Sequence, residues 1–124
     1  MSKNVIDVGQ CDPDHSSISG LLKQHFDVTV HRANSHAEAI AMTAELKPAL
    51  VLINRLYDAD GSEGMETLRT LKADDATASV PVMIVSNYSD AQDAAVAAGA
   101  VQGFGKASLT SQSTVDLLQE YLRD

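Results

Sequence analysis

Apolar residues in this chain alternate between two spacings. Val5-Ile6-Asp7-Val8-Gly9, Val28-Thr29-Val30, Leu50 to Ile53, Val80 to Val85 and Val101 to Phe104 read as short strands, and Leu50 to Ile53 is an unbroken apolar run. Runs without polar alternation suit strands buried on both faces. Between them the apolar positions step by three and four. Ile18, Leu21, Leu22 and His25 share one helical face, as do Ala37, Ile40, Ala41 and Ala44. Met65, Leu68 and Leu71 form a third stripe. An Ala-rich segment to about Ala98 follows the fourth run. Val115, Leu118 and Leu122 form the last stripe, widened by Leu117 and Tyr121. Such stripes predict helices that bury one side.

The boundaries carry their own signals. Gln10-Cys11-Asp12-Pro13-Asp14 reads as a turn, so the first helix is expected from about Ser16 to Phe26. Ser35-His36-Ala37-Glu38 and Ser89-Asp90-Ala91-Gln92 both fit a capping box. Pro48 closes the second helical segment and Gly99 stops the fourth. Asp74 to Ser79 is a polar connection. Asp7 interrupts the first strand, where capping of backbone groups or an edge position would accommodate it.

Strict alternation of strand and helix implies a parallel sheet with helices on both faces and right-handed crossovers. The expectation is a single domain over residues 1–124, of class α/β: a flavodoxin-like (βα)5 doubly wound sheet of five parallel strands, order 2-1-3-4-5. Ligand chemistry in such sheets sits beyond the carboxyl ends of the strands. That rim would gather Gln10-Cys11-Asp12, Asn54, Ser86-Asn87 and Lys106.

Composition narrows the function. The chain has 124 residues, room for one core and not two. A net charge of −8 argues against binding a phosphate backbone, and favours a monomer or at most a weak homodimer. No apolar run approaches membrane-spanning length, and the amino-terminal residues form no apolar signal region. Cys11 is the single cysteine, which excludes an internal disulfide and fits a reducing, cytoplasmic setting. With no Trp and few aromatics, a flavin would find little to stack on, and Gly9-Gln10-Cys11-Asp12-Pro13 is no Gly-rich phosphate loop. A flavodoxin-like small-molecule binder is therefore a remote alternative.

With these elements in place, the sequence resembles the receiver domain of two-component response regulators over nearly its whole length. In that family the first strand ends in an acidic pair, the third in the phosphoacceptor Asp and the fourth in Ser or Thr. A Lys-Pro follows the fifth. Pro13 sets the register, so Gln10 and Cys11 fall on the acidic pair, with Asp12 next. Asn54 falls on the phosphoacceptor, Ser86 on the hydroxyl and Lys106 on the lysine. Ala98-Gly99-Ala100 resembles the family's Ala-Gly-Ala. Ala107 replaces the Pro, and Gly103 stands at the switch aromatic, with Phe104 one place late. The loop from Asn54 to Gly64 is about two residues longer than usual.

The resemblance implies phosphoryl transfer to Asp with Mg²⁺, and the departures remove its means. An amide is a poor nucleophile. Gln10 offers one neutral oxygen and Cys11 soft sulfur to a cation that prefers hard anionic oxygen. Mg²⁺ binding is expected to be weak or absent, with no other cofactor. Asp58-Ala59-Asp60-Gly61 does not satisfy a calcium-loop spacing and reads as a solvated acidic loop. Cys11 reads as a small, partly buried residue, ahead of a redox role. Ser86 and Lys106 read as a strand terminator and a structural cation, with Asp12 the expected partner of Lys106.

The expected function is a phosphorylation-independent receiver-like interaction module in phosphorelay signalling, not an enzyme. Its protein partner would dock on helix 4, strand 5 and helix 5, or on the rim around Asn54. The alternative is a regulator that accepts phosphoryl groups on Asp12 or Asp58.

Overall fold

The structure, a computed structural model, describes residues 2–123. Its elements are β1 (Lys3–Val8), α1 (Asp12–His25), β2 (Val28–Ala33), α2 (His36–Leu46), β3 (Leu50–Asn54), α3 (Gly64–Ala73), β4 (Val82–Val85), α4 (Ser89–Ala97) and α5 (Gln112–Leu122), with a 3₁₀ turn at Lys106–Ser108 before α5. β1 pairs in parallel with β2 and β3, and β3 with β4. Helices cover both faces, which is why β4 and β3 up to Asn54 read as unbroken apolar runs.

The pleat sorts alternate residues into two cores. Ile6, Val8, Val51, Ile53, Val82 and Ile84 meet Ala39 of α2, Leu68 and Leu71 of α3 and Ala95 of α4. Val5, Leu50, Leu52, Met83 and Val85 meet Ile18 and Leu22 of α1 and Leu118 and Leu122 of α5. Each fully buried Leu or Ile of these layers contributes about 1.5–3 kcal/mol.

Two local expectations change. Helix α1 starts at Asp12 rather than Ser16, because Pro13 sits in the first turn, where its missing N–H costs nothing. Helix α2 is rotated: Ala39 and Thr43 are buried, while Ala37, Ala41 and Ala44 face solvent. Ile40, Met42 and Leu46 flank the buried stripe, so the larger side chains, not the alanines, set the face. Ser35 caps this helix by accepting the Glu38 N–H at 3.2 Å.

The fifth strand is the main correction. The sheet has four strands, order β2-β1-β3-β4, and residues 101–104 run beside β4 without forming a ladder. Val101 N–H donates to Val82 O at 2.9 Å and Ser86 N–H to Phe104 O at 3.0 Å. In an unbroken parallel ladder the next donor, Gly103 N–H, would reach Ile84 O, and Ser86 N–H would reach Gly103 O. One extra residue therefore sits on this edge, as in a bulge. The side chain of Gln92 fills the gap. Its Nε2 donates to Ile84 O at 2.8 Å and Ser86 O at 3.2 Å, and its Oε1 accepts Gly103 N–H at 3.0 Å. Gln92 is thus no capping-box partner: Tyr88, not Ser89, occupies the N-cap of α4, with no side-chain cap bond.

Candidate functional site

The carboxyl ends of β3 and β4 and the 3₁₀ turn bring Asn54, Ser86 and Lys106 to one pocket of about 250 Å³, together with Arg55, Leu56, Asn87 and Tyr88. Asn54 ends β3 half-buried, and its Nδ2 donates to Gly9 O at 3.0 Å. Asp58 N–H donates to the same carbonyl at 2.9 Å. Ser86 Oγ accepts Tyr88 N–H at 3.2 Å, and Asn87 Oδ1 accepts Ala107 N–H at 3.0 Å. The second bond ties the β4–α4 loop to the turn that carries Lys106.

Gln10, Cys11 and Asp12 do not line this pocket. Gln10 is turned inward, only 2% exposed. Cys11 is the N-cap residue of α1 and makes no side-chain cap bond. Asp12 pairs with Arg32 at 2.7 Å, its side chain otherwise in solvent. The partner of Lys106 is therefore not Asp12 but Asp14, at 2.7 Å. Asp14 lies in the first turn of α1, since that helix begins at Asp12. The Lys106 ammonium holds the Asp14 carboxyl below its usual range.

This donor set does not fit Mg²⁺. The pocket offers amides, a hydroxyl and two cations, whereas Mg²⁺ calls for carboxylate oxygens in octahedral array. Among the described residues no group of three His, Cys, Asp or Glu side chains is arranged to hold a metal.

The long loop after β3 is folded. Leu56 bridges to Glu63, Tyr57 N–H donates to Ser62 O at 2.8 Å, and Gly61 N–H returns to Tyr57 O at 2.8 Å. Tyr57 is 2% exposed, packs across Gly9 and bonds through its hydroxyl to Thr67 of α3. Burial raises the Tyr57 pKa. Gly9 has φ +77° and no room for a Cβ beneath that ring. Asp58 is left exposed at the tip.

Gly103, which the sequence resemblance sets at the switch aromatic, has no space for any side chain: a Cβ would collide with Ile84 O. Phe104 is 6% exposed and belongs to the α1–α5 core.

Sequence reasoning missed a second polar cluster. Asp7 is fully buried in an inner strand, so it is neither at an edge nor a backbone cap. His15 Nδ1 meets its Oδ2 at 2.7 Å. Arg32, its register neighbour on β2, reaches Gln10 O at 3.0 Å. Burial raises the Asp7 pKa against the opposing pull of His15, Gln10 and Arg32. The eight-residue spacing of Asp7 and His15 was visible, but no pattern ties a strand residue to the next helix.

No protein-family model matches the chain, and no curated protein matches it by sequence. Solved structures do. A candidate response regulator from Chloroflexus aurantiacus superposes with TM-score 0.85 at 19% identity, over 100% of both chains. The receiver domain of NtrX from Brucella abortus gives 0.79 at 17% identity, over 95% of this chain and 97% of the other. The receiver domain of the sensor histidine kinase PA1611 from Pseudomonas aeruginosa, with magnesium in its active-site cleft, gives 0.76 at 14% identity, over 98% of each.

The chain has the receiver fold. Its flavodoxin-like sheet and five helices place the Asn54 pocket at the end of the receiver fold where the carboxyl ends of β3 and β4 meet. Among the described residues no helix is long and apolar enough to cross a membrane.

Proposed function

We propose that this chain is a signalling module that uses the receiver fold without an aspartyl-phosphate cycle. It works in the cytoplasm, is not itself an enzyme and binds another protein through a fixed surface. That surface is α4, the 101–104 segment and α5. It touches neither nucleic acid nor membrane, and it is a monomer or a weak homodimer.

The observation that carries this reading is the Asn54 bond to Gly9 O. That carbonyl already accepts Asp58 N–H. A carboxylate at position 54 would face an acceptor with another acceptor, so the local backbone is built around an amide donor. The Gln92 bonds add to it, since they tie α4 to β4 and to the 101–104 segment at three points. Two-state coupling needs an element with two arrangements, and Gly103 has no side chain to move. A phosphoryl-accepting role for Asp12 or Asp58 fares less well, because Asp12 is held by Arg32 and neither residue lines the pocket.

The test is incubation with acetyl phosphate and Mg²⁺, followed by intact-mass measurement, then an amide NMR titration with Mg²⁺ and beryllofluoride. An unchanged mass and no saturable shift at Asn54, Ser86 or Lys106 are expected. A phosphoryl adduct would overturn the reading, and the D12N and D58N variants would locate it. Size exclusion and affinity capture with the intact chain test the interaction surface, where loss of a captured partner on A94E substitution is the expected result.

A further inference from the structure

The pocket around Asn54 is a site of unused donors. Ser86 Oγ only accepts a bond, from Tyr88 N–H, so its O–H is free to donate. Asn87 spends its Oδ1 on Ala107, and its Nδ2 has no partner among the described residues. The Arg55 guanidinium lies 5.3 Å from the centre of the Tyr88 ring, an arrangement that orients it. Among the described residues no carboxylate comes within salt-bridge distance of Arg55. Lys106, the other cation of the pocket, is already paired with Asp14. In a chain of net charge −8, the pocket holds one uncompensated positive charge and two neutral donors. That set matches a monoanion. A phosphate dianion would lack its second counter-charge.

Arg55 and Leu56 also line an adjoining hollow of about 120 Å³. Met65, Ile84, Ala91 and Ala94 give it an apolar wall. Glu63 stands on this side of Arg55 and Asp90 on the next, but both are exposed and neither lines the Asn54 pocket. We infer that the Asn54 pocket and this hollow together bind a carboxylate that carries a short aliphatic tail. The carboxylate sits on Arg55, Ser86 and Asn87, and the tail lies against Ala91 and Ala94. The ligand is a free acid or the acidic side chain of a partner segment. The inference rests on the reading that this rim no longer runs the acyl-phosphate cycle.

The experiment is an amide NMR titration of the intact chain in EDTA with acetate, butyrate, butyramide and inorganic phosphate. Butyrate is expected to give saturable shifts at Ser86, Asn87, Ala91 and Ala94, with affinity rising about two- to fourfold per added methylene over acetate. Butyramide, which has the tail without the charge, gives none. R55Q weakens butyrate binding at least tenfold, and K23Q, an exposed charge on α1, leaves it unchanged. Tighter binding of N-acetyl-leucyl-aspartyl amide than of butyrate assigns the carboxylate to a partner segment, and weaker binding assigns it to a free acid. Shifts that do not saturate, phosphate binding better than butyrate, or R55Q binding normally would overturn the inference. A phosphoryl adduct by mass would instead overturn the signalling reading and leave these titration results as they are.

Discussion

Gly103 N–H donates to Gln92 Oε1 at 3.0 Å, where a regular sheet would have given it to Ile84 O. One side chain thus replaces part of a β-ladder. Truncation in Q92A leaves Ile84 O and Gly103 N–H buried without partners, at a cost of about 1–3 kcal/mol for each such group. G103A is expected to destabilise as well, because the new Cβ meets Ile84 O. Urea denaturation measures both. A midpoint for Q92A equal to that of the parent would show that the ladder closes without Gln92.

Tyr57 and Gly9 make a second pair of this kind. Y57F loses only the hydroxyl bond to Thr67 and should cost about 0.5–1.5 kcal/mol. Y57A empties the space over Gly9 and should cost about 3–5 kcal/mol. G9A suffers both the φ of +77° and the ring above it. Thermal melts order these variants. Near-equal losses for Y57F and Y57A would mean that the ring packs on nothing.

Restoring the carboxylate in N54D is expected not to restore phosphorylation. The variant gains a nucleophile, but no acidic side chain lines its pocket to hold Mg²⁺. It also exchanges the donor to Gly9 O for an anion beside a carbonyl, so it should be less stable at neutral pH. Intact mass after acetyl phosphate treatment, with a urea melt beside it, checks both halves. A stable phosphoryl adduct on N54D would show that Asn54 alone silences the site.

Much of the architecture was legible because it rests on burial. Leu50 to Ile53 is buried throughout, and the stripe Val115, Leu118, Leu122 faces the core as its spacing requires. Asn54 and Ser86 meet as the ends of β3 and β4 require, whereas Lys106 joins them from the 3₁₀ turn rather than from a strand end. Gln10, Cys11 and Asp12 stay outside the pocket. The failures share another cause: a polar side chain chose a distant partner. Gln92 looked like a local capping residue and instead serves the sheet edge. Lys106 was expected to meet Asp12, and the early start of α1 brings Asp14 to it instead. Helix α2 defeated periodicity because alanines are at home on either face.

Asp7 should give the protein a stability that falls as pH rises above 3.8. Its carboxyl is fully buried, and burial raises its pKa above the ordinary 3.8. A raised folded-state pKa means that the folded chain holds the proton more tightly than the unfolded one. The associated stability is fully present below 3.8 and is lost as pH rises through the folded-state value. Above that, the carboxylate depends on His15 at 2.7 Å, with Gln10 and Arg32 also facing it. D7N removes the titration, so its urea midpoint should stay level over the range where that of the parent declines. H15Q takes away the group that meets Oδ2, so its decline should be steeper, ending about 1–3 kcal/mol below the parent at neutral pH. Parallel curves for the parent and D7N would place the pH dependence elsewhere in the chain.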